Sequence, residues 1–267
     1  MAVSVTVLGS GSKGNCTVLA TNRTKILIDA GFSCRETIRR LRLCHIDPET
    51  VDAVVISHEH ADHVSGVWQL ARKLGITVYM NAATHAAWRR WMRDKIEEQP
   101  KLERLEIFEV GKRFSIGDVD VTAFTIPHDA VEPCGFTFSV EGLKVGSVTD
   151  LGYMPRSIAE HLKCCDGLMI ESNHDLEMLR GGPYPWAVKQ RVLSRLGHLS
   201  NDALAEFLAS DYDGGAAFVI LAHLSEQNNH PELARSSAQQ ALEARAGLFH
   251  NRLMLASQNE PLPSVTL

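Results

Sequence analysis

The chain begins with three short apolar runs that are rich in β-branched residues, at positions 3–9, 16–21 and 25–31. Gly, Asn and Ser residues separate these runs, and this punctuation is typical of strands joined in an antiparallel meander. Residues 34–44 carry apolar side chains at helical spacing beside four arginines, so they predict a surface helix. The continuous apolar run at 51–57 predicts a buried strand.

From residue 64 onwards, helical and strand-like patterns alternate without a linker, a repeat or a low-complexity segment. Helices are predicted at 64–74, 82–97, 155–162, 184–195, 200–210 and 231–244. Strands are predicted at 76–80, 105–109, 119–126, 135–141, 143–149, 167–172 and 216–223. This interleaving favours an α/β architecture of two packed sheets flanked by helices, with residues 1–267 in a single domain.

Composition and charge narrow the class of protein. The chain is 45% hydrophobic and 22% charged, as globular proteins are, and no run reaches the roughly 18 apolar residues of a membrane span. No secretory signal precedes the first strand, so we expect a soluble protein without a membrane partner. The six cysteines form no C-x-x-C pair, which favours reduced thiols and a cytoplasmic location. A net charge of −5 does not by itself indicate nucleic-acid binding, although bound metal ions would reverse the field locally.

The stretch ISHEHADHVSGV at 56–67 concentrates ionisable residues where the apolar strand ends. The helical zinc motif H-E-x-x-H does not fit, because His58 and His60 are only two residues apart. In extended chain this spacing puts both imidazoles on one side. Asp62 is expected one residue before a helix and His63 at its start. Imidazole and carboxylate are ligands that zinc, iron and manganese prefer, so the stretch predicts a metal site; a solvated polar loop is the alternative.

HEHADH also resembles the H-x-H-x-D-H signature of metallo-β-lactamase-fold hydrolases, which implies a four-layer αββα sandwich. That fold places further ligands at the ends of later strands, and His128, Asp150 and His223 each end a predicted strand. The resemblance implies that one ion is held by His58, His60 and His128, the other by Asp62, His63 and His223, with Asp150 bridging the two. Two divalent ions are therefore expected, zinc or manganese, with iron or nickel also compatible.

The resemblance extends from residue 7 to about 230 and is closest to the WalJ (YycJ) branch of this fold. It rests on VLGSGSKGNCTVL, LIDAGFS, SHEHADHVSGV, TDLGY, ESNHD with GPYPW, and GHLSN. Members of that branch resemble ribonuclease Z and include DNA 5′-to-3′ exonucleases. Only 73 residues separate Asp150 from His223, too few for the inserted clamp domain of β-CASP nucleases, and only 44 follow His223, too few for the helical domain of glyoxalase II. The resemblance implies a metal-dependent phosphodiesterase acting on nucleic acid, DNA in preference to RNA.

Catalytic roles follow from the same resemblance. Asp62 is the expected residue to orient the attacking water or to take its proton, and His198 in GHLSN is similar to the catalytic histidine of ribonuclease Z. His198 as a structural loop histidine, and His174 as the acid in its place, stay open as alternatives. Asp29 in LIDAG is expected either to hydrogen bond to a ligand imidazole or simply to close a strand-end turn.

Five residues are candidates for binding substrate. The loop GSGSKGN lacks the P-loop pattern G-x-x-x-x-G-K-[ST], so a nucleoside triphosphate site is excluded. Its N–H groups can still face a phosphate oxygen, although a plain tight turn is an equal alternative. The candidates are Ser12, Lys13 and Asn15 in this loop, and Asn173 and His174 in ESNHD.

Two other functions remain open, because neither the fold nor the metals determine the substrate. A hydrolase of carboxyl esters, thioesters or lactones would use the same metal ligands. A metal-bound regulatory protein without turnover is the other alternative, and the complete ligand set argues against it. The sequence does not specify the oligomeric state or the polarity of cleavage.

Overall fold

A computed structural model describes residues 2–93, 101–244 and 251–267. The described chain separates into two compact units. The first is formed by residues within 1–125, 130–134 and 258–266, and the second by residues within 126–129 and 135–257, with residue 267.

The elements are named in chain order. The strands are β1 (Ser4–Gly9), β2 (Cys16–Ala20), β3 (Lys25–Ile28), β4 (Ala53–Val55), β5 (Thr77–Asn81), β6 (Leu105–Phe108), β7 (Arg113–Ile116), β8 (Val119–Thr125), β9 (Cys134–Val140), β10 (Leu143–Val148), β11 (Gly167–Glu171), β12 (Phe218–Ala222), β13 (Arg252–Leu255) and β14 (Val265–Thr266). The helices are α1 (Cys34–Leu43), α2 (Ala61–Val64), α3 (Val67–Leu74), α4 (Ala82–Arg93), α5 (Arg156–Leu162), α6 (Leu176–Gly181), α7 (Trp186–Val192), α8 (Asn201–Ser210) and α9 (Pro231–Glu243), and Pro48–Thr50 forms a 3₁₀ turn.

The first unit contains a mixed sheet in the order β14-β1-β2-β3-β4-β5-β6. Strands β1, β2 and β3 pair antiparallel, with Val5 opposite Leu19 and Val18 opposite Leu27, which confirms the predicted meander. Strands β3 to β6 run parallel, so the carboxyl ends of β3 and β4 lie at the same sheet edge. That edge is where the histidine-rich stretch begins.

The core of the first unit lies under α1, α3 and α4. Trp88 of α4 and Leu70 of α3 are fully buried with Val54 of β4. Ser33 caps α1 by accepting a hydrogen bond from Glu36 N, and the Arg40 side chain donates to the carbonyl of Leu8. The face of α1 that carries Ile38, Arg40 and Leu41 therefore packs inward. The other arginines of this helix face solvent, as the amphipathic pattern predicts.

The second unit contains parallel strands in the order β13-β12-β11-β10, with β9 antiparallel to β10. Every residue of β11 and β12 is buried, as expected of parallel strands covered on both faces. Because parallel strands end at a common edge, the residues that follow β10, β11 and β12 are brought together. Asp150, Glu171 and His223 lie at these three strand ends.

The structure differs from the sequence-based elements in a few places. The helix predicted at 64–74 is two helices, α2 and α3, separated at Gly66. Its absent side chain lets the Phe32 carbonyl oxygen approach, since a Cβ there would lie 1.9 Å from that atom. Strands β7, β13 and β14 and helix α6 were not predicted, and the last four residues of the helix predicted at 82–97 lie outside the described residues. Among the described residues, no helix is both long and apolar enough to cross a membrane.

Candidate metal-binding site

The histidines that follow β4 converge in the first unit. His58 Nε2 lies 3.1 Å from His60 Nδ1, and the ring centres of His58 and His63 are 4.1 Å apart. His58 and His63 are fully buried, whereas the Asp62 side chain is 21% exposed. Asp62 Oδ2 lies 3.6 Å from His63 Nε2. Four side chains of the H-x-H-x-D-H stretch thus present nitrogen and oxygen atoms to one small volume.

The local backbone explains this convergence. His60 is extended and forms the N-cap of α2, because its carbonyl accepts from His63 N at 2.9 Å and Val64 N at 3.1 Å. Asp62 was expected one residue before the helix, but it lies within its first turn. The helix begins at Ala61 because the His60 carbonyl, and no side-chain cap, closes the first turn.

Asp29 holds His63 in position. Its Oδ2 atom is 2.8 Å from His63 Nδ1, and its Oδ1 atom accepts from Ser57 N at 2.8 Å. Ser57 Oγ donates to the same carboxylate and lies 3.0 Å from His58 Nδ1. Of the two interpretations of Asp29, the structure shows the hydrogen bond to an imidazole, while its φ of 62° also closes the strand-end turn. Ser57 was not identified from the sequence, since a lone serine before a histidine carries no distinctive signal.

The loop 9–15 lies against the Asp62 segment. Asn15 N donates to Asp62 O at 2.7 Å, and Asn15 Nδ2 is 3.1 Å from His63 Nε2. Gly31 makes this approach possible, because a Cβ at that position would lie 1.7 Å from Asp62 O. Ser12 and Lys13 are exposed, and Lys13 N donates to Gln258 Oε1 at 2.7 Å.

In the second unit, a second cluster surrounds Glu171. The Oε1 atom of Glu171 is 2.9 Å from both His198 Nδ1 and His223 Nδ1, and its Oε2 atom accepts from Leu151 N and Leu199 N. Burial raises the pKa of this carboxyl, but the charge of His198 and the hydrogen bonds of His198 and His223 outweigh it and hold the pKa below its usual range. Glu171 is therefore ionised and aligns two imidazoles at once.

Sequence reasoning missed Glu171 as a functional residue. The only signal was an ionisable residue at the end of the apolar run GLMIE, within the quoted segment ESNHD. Its partners His198 and His223 are 27 and 52 residues away along the chain, so their convergence is visible only in the fold.

Asp150 and His128 lie beside this cluster. Asp150 Oδ1 is 3.4 Å from His223 Nδ1, 3.7 Å from His198 Nδ1 and 3.9 Å from His128 Nε2. The His198 ring centre is 5.2 Å from those of both His128 and His223. Burial lowers the pKa of His198, but Glu171 and Asp150 outweigh this effect and the pKa is raised. For His128, burial dominates and lowers the pKa.

Asn173 and His174 occupy different settings within the second unit. Asn173 Nδ2 donates to His223 O at 2.8 Å, so this side chain holds the backbone of a candidate ligand. His174 is 1% exposed, and neither ring nitrogen has a hydrogen-bond partner among the described residues. Burial is the largest cause of the lowering of its pKa to about 4, so His174 is neutral near pH 7.

The donor atoms in each unit fit a divalent metal ion. Two nitrogens bound to one tetrahedral zinc at about 2.0–2.1 Å lie about 3.4 Å apart, which is close to the His58 to His60 separation described above. In the second unit, donor atoms of Asp150, Glu171, His198 and His223 all lie within 4.8 Å of one another. Imidazole and carboxylate donors, with Asp29 and Glu171 aligning the rings, are the chemistry of a transition-metal site.

Comparisons with known proteins agree with this chemistry. Residues 24–224 match the Beta-lactamase superfamily domain. The chain is 40% identical over 228 residues to "Exodeoxyribonuclease WalJ" of Streptococcus pneumoniae serotype 2 (strain D39), covering 85% of this chain and 84% of that protein. It is 38% identical over 245 residues to "Exodeoxyribonuclease YycJ" of Bacillus anthracis, covering 92% and 91%.

A solved structure extends the likeness to the whole fold. The metallo-beta-lactamase fold protein YhfI from Bacillus subtilis superposes with a TM-score of 0.72 at 18% identity, covering 98% of this chain and 99% of that one. This likeness confirms the predicted α/β fold class, the four-layer αββα sandwich of the metallo-β-lactamase fold. The family match covers most of the chain, and the sequence identity to the two curated relatives is 40% and 38%. The chain therefore belongs to the metallo-β-lactamase superfamily and, within it, to the WalJ (YycJ) family.

Proposed function

We propose that this protein is a metal-dependent exodeoxyribonuclease that hydrolyses phosphodiester bonds of DNA from the 5′ end. The observation that carries the proposal is the His198 imidazole, held by Glu171 beside Asp150 and His223. An alkoxide leaving from a phosphodiester needs a proton, and a histidine aligned next to candidate metal ligands can supply it. The curated names of the WalJ and YycJ relatives support the same activity.

The seven residues of the ligand set are proposed to hold two divalent ions. His58, His60 and His128 would bind one, Asp62, His63 and His223 the other, and Asp150 would bridge them. When bound, such ions lower the pKa of a coordinated water and neutralise charge on the phosphate. Zinc or manganese is proposed, with iron or nickel compatible with the same donors.

Asp62 and His198 are proposed as the catalytic side chains. Asp62 would orient a water molecule or accept its proton, a role supported by its partly exposed carboxylate, whose Oδ2 atom lies 3.6 Å from His63 Nε2. His198 would donate its Nε2 proton to the leaving oxygen, because its Nδ1 is engaged by Glu171. The raised pKa of His198 keeps more of it protonated near neutral pH than a free histidine.

Substrate contacts are proposed for the loop 9–15 and for ESNHD. Ser12 and Lys13 are exposed on a loop that is hydrogen-bonded to the Asp62 segment through Asn15, and they are proposed to face a phosphate oxygen. Asn173 and His174 remain proposed substrate contacts in ESNHD; both side chains are buried, and Asn173 Nδ2 donates to His223 O. The cytoplasm, which keeps thiols reduced, is the proposed compartment, in keeping with six free cysteines.

The test compares three substrates, each with manganese or zinc. They are 5′-labelled single-stranded DNA, the matching RNA, and bis-p-nitrophenyl phosphate, whose leaving group departs as a stable anion without needing a proton. The Asp62→Ala variant is expected to lose cleavage of all three. The His198→Ala variant is expected to lose DNA cleavage by about 10²–10⁴-fold while reporter hydrolysis falls far less. His161→Ala, on α5, is the matched histidine control and should behave as the wild type.

Each alternative predicts a different result. DNA cleavage retained by Asp62→Ala would mean a contaminating nuclease or a mistaken site. Equal losses on DNA and on the reporter in His198→Ala would remove the general-acid role. Faster hydrolysis of a carboxyl ester or thioester than of either phosphodiester would favour an acyl hydrolase. Release of the 5′ label at the end of the reaction instead of at its start would mean that the enzyme degrades DNA from the 3′ end.

A further inference from the structure

Three segments of the second unit that carry site residues are bonded to one another. Gly152 N donates to Pro127 O at 2.8 Å, and Asp129 N donates to Leu196 O at 3.0 Å. Gly152 also packs directly on the backbone of Arg195, since a Cβ at Gly152 would lie 2.3 Å from the Arg195 carbonyl carbon. The segments 127–129, 150–153 and 195–198 thus form one rigid frame, which contains His128, Asp150 and His198.

An aromatic–cation stack lies on this frame. The Arg195 guanidinium carbon is 4.1 Å from the ring centre of Tyr153, at cation–π distance. Tyr153 is three residues after Asp150, and Arg195 is three residues before His198. Arg195 is exposed, and no carboxylate within the described part of the chain pairs with it, whereas its neighbour Arg191 pairs with Asp129. The stack therefore fixes the plane of a guanidinium whose N–H groups are available to solvent.

We propose that the Tyr153–Arg195 stack is a phosphate-binding element that engages a backbone phosphate of the DNA strand next to the scissile bond. This inference rests on the proposed function and identifies how the site would hold its polymer. A guanidinium presents its N–H donors in one plane with the geometry of a phosphate, and stacking on Tyr153 orients that plane before the strand arrives. Less rotamer entropy is then lost on binding than for a free arginine.

The neighbouring residue suits the same ligand. Leu196, which follows Arg195 in the chain, is 51% exposed although its carbonyl is fixed by Asp129, so it presents an apolar surface to solvent. Single-stranded DNA offers alternating phosphates and apolar base or sugar faces, and binding sites for it combine positive charge with apolar contact. A small phosphodiester with one phosphate would reach the metal ligands without needing Arg195.

The test measures binding of the metal-loaded full chain to a fluorescent, phosphorothioate-linked single-stranded oligodeoxynucleotide that resists cleavage. Arg195→Gln is expected to raise Kd about tenfold and to reduce the slope of log Kd against log salt by about 0.7, the value for one phosphate contact on a single strand. Arg195→Lys should keep the slope with a smaller loss of affinity. Tyr153→Phe should match the wild type, and Tyr153→Leu should weaken binding while retaining the slope, because the charge remains but its orientation does not.

Arg252→Gln, an exposed arginine of β13, is the matched control. All variants should hydrolyse bis-p-nitrophenyl phosphate at the wild-type rate, which also shows that they are folded and loaded with metal. An Arg195→Gln variant with the affinity and salt slope of Arg252→Gln, while the wild type cleaves DNA, would overturn this contact alone. A wild type that hydrolyses the reporter but neither binds nor cleaves DNA would reject the DNA substrate of the proposed function, and this inference with it.

Discussion

Three side chains of the two clusters sit on backbone that few residues other than glycine adopt. Asp29, Asp150 and His223 have φ values of 62°, 61° and 55°. Each follows the end of a strand and has its side chain in one of the two clusters. Such a conformation costs on the order of 1 kcal/mol in a non-glycine residue and persists where the surroundings enforce it. The fold therefore accepts local strain to aim these carboxylates and this imidazole.

At the same scale, Asp29 is expected to control metal affinity through His63. Asp29→Ala removes the acceptor that fixes the His63 ring, and loss of such an outer partner lowers metal affinity by about 10–100-fold. Competition with a chromophoric chelator measures the change directly. Asp120→Ala, at a partly exposed carboxylate on β8, is the control and should leave the affinity unaltered. Equal affinities for the two variants would show that Asp29 serves only to close the turn after β3.

How far the site follows from the sequence depends on the kind of residue. The ligand candidates around His58 are contiguous, and strand-end positions singled out His128, Asp150 and His223. Their roles as ligands remain predictions. Glu171 and Ser57 act through hydrogen bonds to histidines, and nothing in a single sequence says which distant imidazole a carboxylate will meet. Residues that hold other residues in place are therefore the part that required the fold.

At the scale of elements, a buried amide network joins α8 to the end of β11. Asn229 Nδ2 donates to Ser172 O at 2.9 Å and to Asn201 Oδ1 at 3.0 Å, and Asn201 Nδ2 donates to Asn229 Oδ1 at 2.9 Å. Ser172 Oγ completes it by donating to Asn201 Oδ1 at 2.7 Å. The network fixes the start of α8, three residues after His198, against the strand that carries Glu171.

Removing the centre of this network should destabilise the protein. Asn229→Ala removes the acceptor of the Asn201 amide N–H and the donor to the carbonyls of Ser172 and Asn173. Buried polar groups left unpaired cost about 1–3 kcal/mol each before relaxation. A loss of about 2–3 kcal/mol in the free energy of unfolding is expected from urea titration. Asn22→Ala, at an exposed position, should change it by less than about 0.5 kcal/mol. A loss no larger than that control would mean that water replaces the amide.

The elements themselves were largely predictable, for reasons that also explain the exceptions. Strand β12 is a continuous apolar run that is buried throughout, and helices α8 and α9 each bury one regular face, so the hydrophobic pattern identifies them. The short strands β13 and β14 were missed because edge strands of four and two residues bury too little to leave a pattern. Helix α6 was missed for the same reason, since Leu179 is its one buried residue. The break at Gly66 depends on contact with Phe32, which lies far away in sequence.

For the whole molecule, His174 links stability to pH. Its pKa is lowered to about 4 in the folded protein, whereas an unfolded chain has the ordinary value of about 6.5. Between these values the unfolded chain binds more protons than the folded one, so the free energy of unfolding falls as the pH falls. The contribution is fully present above about pH 6.5 and is lost as the pH decreases through the folded pKa of about 4.

Replacing His174 by leucine should therefore flatten the acid side of the stability curve. His174→Leu keeps the volume and has nothing to protonate, and no hydrogen bond to a described residue is lost. Between pH 7 and pH 4.5, the free energy of unfolding of the wild type is expected to fall by about 2–3 kcal/mol more than that of the variant. Urea titrations of both proteins in the same chelator exclude differences in metal release. If the free energies of unfolding of the two proteins changed in parallel with pH, His174 would be protonated as easily in the folded protein as in the unfolded chain. Its burial would then make no contribution to the pH dependence of stability.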